Sequence, residues 1–105
     1  SVTEVAILKD IRVVGRGAFE HSAALVDVRF DEGAEELEES CFDGCTLLVT
    51  VNIPRSVKKI GYHAFYDCDR LLNVTVSKDC QVDENAFGEM TIIWHHEDFD
   101  NIRLS

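Results

Sequence analysis

Apolar positions along this chain recur with a long period rather than a helical one. The residues Phe19, Phe42, Phe65 and Phe87 are spaced by 23, 23 and 22. Five positions before each stands an aliphatic residue (Val14, Leu37, Ile60, Val82), and one position before each a small one (Ala18, Cys41, Ala64, Ala86). Three positions after come Ser22, Cys45, Cys68 and Met90. Further columns hold Leu25, Leu48 and Leu71, then Val28, Val51 and Val74, then Phe30, Ile53 and Val76. Counting back one period from Phe19 calls for apolar residues at 2, 5 and 7, where the chain supplies Val2, Val5 and Ile7. Self-similarity at a fixed period is the signature of a stacked repeat, in which no unit has enough apolar surface to bury alone.

The columns predict the elements. Leu25–Phe30, Leu48–Ile53 and Leu71–Val76 end in alternating apolar positions and are rich in β-branched residues, so each reads as a strand, as does Val2–Ile7. Stacked turn on turn, they predict one parallel sheet with rungs about 4.8 Å apart. The stretches around the Phe column are short and broken by Gly and Asp, which predicts tight turns or a single 3₁₀-like turn. No segment keeps an i, i+3, i+4 apolar stripe for three turns, so no long helix is expected. The units run approximately 1–24, 25–47, 48–70 and 71–94 within a single domain, 1–105. After Met90 the pattern compresses to Thr91–Trp94, a closing strand, and the tail 95–105 is expected to cover the end of the stack. At the other end the chain starts directly on Val2–Ile7, an uncovered rung and strand edge. That suggests the C-terminal part of a longer array, or an edge buried by another chain.

Two of the strands fit the leucine-rich-repeat frame L-x-x-L-x-L, as Leu48-x-x-Val51-x-Ile53 and Leu71-x-x-Val74-x-Val76. The run from Ile53-Pro54 through Ser56-Val57, Ile60-Gly61, Ala64-Phe65, Cys68 and Leu71 to Val74 resembles the BspA-like leucine-rich repeat at every characteristic position. The resemblance extends from Val2 to about Trp94. Departures are Ser22 in the Cys column, Glu38 for Gly, Cys41 for Ala, and a fourth unit one residue short. The resemblance implies a β-rich, right-handed leucine-rich-repeat solenoid of about four turns, each of 22–23 residues, with the parallel sheet on its concave face and short turns opposite. It also implies protein recognition, with adhesion to host, extracellular-matrix or neighbouring-cell proteins as the specific role, and a secreted or cell-surface location.

Composition narrows the partners. Acids outnumber bases 20 to 10, a net charge of −10, which disfavours nucleic acid and anionic lipid. No apolar run approaches the roughly 20 residues that cross a bilayer. The four cysteines, Cys41, Cys45, Cys68 and Cys80, could be zinc ligands, disulfide partners or core thiols. The repeat columns favour core thiols, since Cys45 and Cys68 share a column with Ser22 and Met90 and the site asks for a modest inward-facing side chain. Buried thiols would also suit a reducing cytosol. His95, His96, Glu97, Asp98 and Asp100 form the densest ligand-like cluster. Adjacent histidines on a strand face opposite ways, so a solvated tail is the better reading. His21 and His63, beside core Phe residues, read as surface imidazoles.

Gly15-Arg16-Gly17 lacks the third glycine of a dinucleotide fingerprint, with Glu20 in its place. No nucleophile elbow, zinc-protease helix or phosphate loop is present, so neither catalysis nor a cofactor is expected. The acids Asp31, Glu32, Glu35, Glu36, Glu38 and Glu39 form a negative ridge that suits a basic partner or weak Ca²⁺, against the simpler reading of a solvated edge. Strand residues alternating with the core columns point outward: Asp27, Arg29, Thr50, Asn52, Asn73 and Thr75. This grid is the candidate protein-binding surface, with no aromatic anchor among its members. Asn73-Val74-Thr75 is also a glycosylation sequon. The alternative is a structural spacer that self-associates through the Val2–Ile7 edge.

Overall fold

The computed structural model describes residues 4–100 and Ile102. In chain order its strands are β1 (Glu4–Leu8), β2 (Val13–Val14), β3 (Leu25–Phe30), β4 (Glu36–Leu37), β5 (Thr50–Asn52), β6 (Lys59–Ile60), β7 (Asn73–Val76), β8 (Gln81–Val82) and β9 (Ile92–His95). All pair in parallel, and the chain winds as a β-solenoid of about four turns. Among the described residues the helical content is a single 3₁₀ turn, His96–Phe99. Val2 of the expected first strand lies outside the described residues, as do 101 and 103–105.

Two rows of strands form where one sheet was expected. The aliphatic column Val14, Leu37, Ile60, Val82 carries an unbroken four-stranded sheet in the order β2-β4-β6-β8. Its strands are two residues long, too short for alternation to show in sequence. The longer row is divided into β1-β3-β5 and β7-β9, which corrects the single parallel sheet read from the repeat. At the division the backbone finds other partners. The Ile53 carbonyl, just past β5, accepts a hydrogen bond at 2.7 Å from His96 Nε2 in the returning tail. The paired strands are also shorter than Leu48–Ile53 and Leu71–Val76, being confined to the residues after the leucine column.

The repeat columns become the core. Val28, Val51 and Val74 face inward from the longer strands, and Leu25, Leu48 and Leu71 sit at their starts, all buried. The Phe column is a stack: Phe19–Phe42, Phe42–Phe65 and Phe65–Phe87 each have ring centroids 5.1 Å apart, with interplanar angles of 3°, 9° and 4°. The rung spacing of a parallel sheet sets that distance, and each such contact adds about 0.5–1.5 kcal/mol beyond burial. Beside the stack, the Cys45 thiol donates to the Phe19 carbonyl and the Cys68 thiol to the Phe42 carbonyl, both at 3.2 Å. At these two positions the column holds a small donor that satisfies the Phe carbonyl of the preceding turn.

Met90 breaks that column. It is 73% exposed rather than inward-facing. Val74 pairs with Ile93, 19 residues on, whereas Val28 pairs with Val51, 23 residues on. The shortened last unit turns before position 90 can reach the core, and the Thr91 hydroxyl donates to the Leu71 carbonyl instead. Ile93 continues the valine column but stays 38% exposed at the last rung.

The turns around Phe19, Phe42 and Phe65 use left-handed residues in two columns. Gly17, Ser40 and His63 have φ of 66°, 56° and 57°; His21, Gly44 and Asp67 have 61°, 77° and 58°. Short polar side chains and Gly tolerate that region best. At Gly44 the requirement is double, because a Cβ would also stand 2.3 Å from His21 Nδ1. Alternate amides then bond from rung to rung, as Gly17 N–H to Glu39 O, Phe19 N–H to Cys41 O and His21 N–H to Asp43 O. The turn side is thus a hydrogen-bonded wall without being a sheet.

Candidate functional site: the long-strand face

Outward side chains of the longer strands form two ladders. In one, Val5 lies opposite Asp27, Asp27 opposite Thr50, and Asn73 opposite Ile92. In the other, Ile7 lies opposite Arg29, Arg29 opposite Asn52, and Thr75 opposite Trp94. Period-2 alternation brings the six expected residues onto this one face, because their neighbours Val28, Val51 and Val74 are turned inward.

They are not equally free to bind. Arg29 pairs with Asp27, with Nε and Nη2 both 2.9 Å from Oδ2, and the other Asp27 oxygen is buried without a hydrogen-bond partner among the described residues. Asn52 is committed to the fold. Its Oδ1 accepts from the Phe30 amide at 2.8 Å and its Nδ2 donates to the Phe30 carbonyl at 3.1 Å, so a side chain replaces two backbone partners at the end of β3. Asn73 Oδ1 accepts from Trp94 Nε1 at 2.9 Å, and the Asn73 amide nitrogen has no such bond among the described residues. Thr50 is exposed and Thr75 half-buried.

The structure adds an aromatic end to this face. Trp94 is 45% exposed, and the Phe99 ring lies with its centroid 6.3 Å away. Sequence reasoning placed Trp94 in a closing strand without assigning it a face. Pairing Thr75 with Trp94 requires the shortened unit, which the repeat period conceals. Where β5 and β7 are unpaired the face opens into a cleft of about 500 Å³, lined among others by Asn52, Arg55, Asn73, Thr75, His96 and Phe99. That volume lies within the usual range for ligand sites.

The tail builds one wall of the cleft. Arg55 Nη1 donates to Asp100 Oδ2 at 3.0 Å, Lys78 pairs with Asp98 at 3.0 Å, and the Lys78 amide donates to Glu97 Oε1 at 2.9 Å. The Ser77 hydroxyl lies 2.7 Å from both Glu97 and Asp79 carboxylates. These bonds hold the Glu97 carboxyl below its ordinary range through Ser77 first and the Lys78 amide second. Arg55 does the same for Asp100. The ligand-like tail cluster is therefore dispersed among separate partners, and no group of three metal-ligating side chains occurs among the described residues.

The other candidates fall elsewhere. All four cysteines are free thiols, with Cys41, Cys45 and Cys68 buried and Cys80 half-buried. Burial pushes Cys41 up to about 12 and Cys80 up to about 11, and contact with Cys45 together with burial raises Cys68. Such thiols are poor nucleophiles. The acidic ridge is partly neutralised: Arg12 pairs with Glu35 at 3.1 Å and Arg16 with Glu39 at 3.3 Å. Asp31 accepts from the Asp10 amide of the preceding turn and the Gly33 amide of its own, which lower its pKa. His21 is exposed as expected, while His63 is half-buried between two tyrosine rings.

Comparison with known proteins bears on the repeat and the fold. The family profile described as the BspA type leucine rich repeat region matches residues 1–100 in six copies. A crystal structure of a leucine-rich repeat protein from Bacteroides ovatus ATCC 8483 superposes with a TM-score of 0.72 at 26% identity, over 89% of this chain and 26% of that one. The T. pallidum leucine-rich repeat protein superposes with a TM-score of 0.66 at 18% identity, over 92% of this chain and 54% of that one. The chain thus spans about a quarter and about half of those two structures. Among curated proteins none matches this chain in sequence.

Proposed function

The chain belongs to the BspA-type leucine-rich repeat family, and from that premise we propose that it is a non-catalytic protein-recognition module acting through its long-strand face. One observation carries the reading. The interior is filled by the repeat columns, while the outward ladders converge on an open cleft beside Trp94 and Phe99. An aromatic pair at the end of a polar grid has the composition of a binding hot spot with a polar surround.

In this reading Trp94 and Phe99 anchor the partner, and Thr50, Asn73 and Thr75 supply polar contacts. Asp27 and Arg29 present a paired charge that sets orientation, and Asn52 supports the face through Phe30. The specific role proposed is attachment to a cell-surface or extracellular-matrix protein. The family resemblance supports it. Exposed Val5 and Ile7 on β1 favour a second reading, association of copies through that edge.

The test is affinity capture from cell-surface and extracellular-matrix extracts, with wild type beside Trp94→Ala/Thr75→Ala, after both are shown to unfold at the same denaturant midpoint. A defined partner retained by the wild type and lost by the variant is the expected result. Equal capture by both refutes the long-strand face as the recognition surface. Concentration-dependent self-association abolished by Ile7→Lys would instead support the edge.

A further inference from the structure

The turn face carries a second surface of different chemistry. On the third turn the His63 ring lies between Tyr62 and Tyr66, with centroids 3.8 and 4.0 Å away and interplanar angles of 12° and 7°. The left-handed backbone at His63 makes this possible, since it turns three ring-bearing side chains of one tight bend to the same side. Tyr62 and Tyr66 remain 46% and 39% exposed. No core contact requires three stacked rings on an outer bend.

A cavity flanks each end of this ridge. One, of about 740 Å³, adjoins Tyr62 and includes Arg16, Glu38, Glu39, Lys59 and Asp83 in its lining. The other, of about 520 Å³, adjoins Tyr66 and is bordered by Asp67, Asp69, Asp83, Glu84 and Glu89, with no basic residue in its lining. Asp83 borders both, so carboxylates stand at each end of the ridge, mixed with Arg16 and Lys59 beside Tyr62 and without a base beside Tyr66. The first cavity already houses a guanidinium of this chain. Arg16 lies 3.3 Å from Glu39, and its backbone amide donates to Glu38 at 3.2 Å. The carboxylates of Asp67, Asp69, Asp83, Glu84 and Glu89 form no ion pair among the described residues.

We propose that the Tyr62–His63–Tyr66 ridge and its acidic flanks are a docking surface for an arginine-rich segment of a partner protein. A guanidinium is the group that satisfies both features at once. Its flat face stacks on an exposed tyrosine ring, and its edge pairs with a carboxylate in fork geometry. Lysine offers only a point charge and lacks the planar face. The surface is separate from the long-strand face and stands or falls independently of it.

The test uses the whole chain, isotope-labelled, with a nona-arginine peptide and a nona-lysine peptide as probes. Measurements are made at about 0.15 M salt, where screening within about 8 Å suppresses diffuse attraction to the net charge. Amide shifts under nona-arginine are expected to cluster at Tyr62, His63, Tyr66, Asp83 and Glu84. Tyr62→Ala/Tyr66→Ala should weaken nona-arginine about tenfold. Asp83→Asn/Glu84→Gln should weaken both peptides, with Asp83→Asn keeping the acceptor for the Asn85 amide. Thr50→Ala on the other face should change neither. Shifts centred on Asp31, Glu32 and Glu35, which lie outside both cavities, equal affinity for the two peptides, or an unaffected tyrosine variant would each overturn the proposal.

Discussion

Phe42→Ala is the sharpest probe of how the turns are held together. Phe42 is fully buried, stacked at 5.1 Å on both Phe19 and Phe65, and edge-on to Phe30 at 6.3 Å. Truncating a buried Phe costs about 3–5 kcal/mol, with the cavity included. Three aromatic contacts are lost, each worth about 0.5–1.5 kcal/mol within that total, so the expectation sits near the upper end, about 4–5 kcal/mol. Phe87→Ala provides the calibration, because Phe87 is half-buried and has one stacking neighbour, Phe65. It should cost about half as much. A domain of this size has about 5–15 kcal/mol in total, so the central truncation should remove a large share of stability. Each turn contacts only its neighbours, and a weakened central rung should also uncouple the turns on either side. Urea unfolding followed by circular dichroism gives both readouts: the midpoint falls, and the transition broadens or divides. A Phe42→Ala loss below about 2 kcal/mol, or one equal to that of Phe87→Ala, would refute the argument that the stack couples the turns.

Other consequences are equally direct. Asn52→Ala strands the Phe30 amide and carbonyl and should cost about 1–3 kcal/mol in urea unfolding, while Thr50→Ala on the same face stays within about 0.5 kcal/mol. With Cys41 raised to about 12, Cys80 to about 11 and Cys68 raised too, these thiols should react slowly with a disulfide reagent at pH 8 in the native state and at once after unfolding; Cys80, the half-buried one, should lead. Glu97 and Asp100 have depressed pKa values, so the stability they contribute is fully present above the ordinary carboxylate range and is lost as pH falls through their lowered values. Amide exchange should show the 3₁₀ turn loosening below about pH 4, and Arg55→Ala should loosen it at neutral pH. Gly61→Ala places a Cβ 2.9 Å from the Glu39 amide nitrogen, so it should lower the unfolding midpoint more than Gly88→Ala, where the same atom meets open space.

What the sequence by itself determined was the period and everything that depends on period alone. Because each core column repeats a similar kind of side chain every 22 or 23 positions, the Phe column and Val28 through Val74 were legible as inward-facing, and strand alternation then placed Asp27, Arg29, Thr50, Asn52, Asn73 and Thr75 on one outer face. The shortened fourth unit and the compression after Met90 were legible as departures from the period, but the register they produce was not. Met90 leaves the core and Trp94 joins the outer face because the last unit closes in 19 residues, a register that only strand pairing sets. At the division between β5 and β7, His96 reaches back to Ile53, a contact 43 residues apart in sequence. The roles of individual face residues also awaited the tertiary structure. Asn52 and Asn73 stand on neighbouring turns of the same outer face, yet one is consumed by the Phe30 backbone and the other braces Trp94. Periodicity reports which way a side chain points. What it touches is decided by neighbouring turns of the solenoid, where hydrogen-bond partners come from residues about 20 or more positions away.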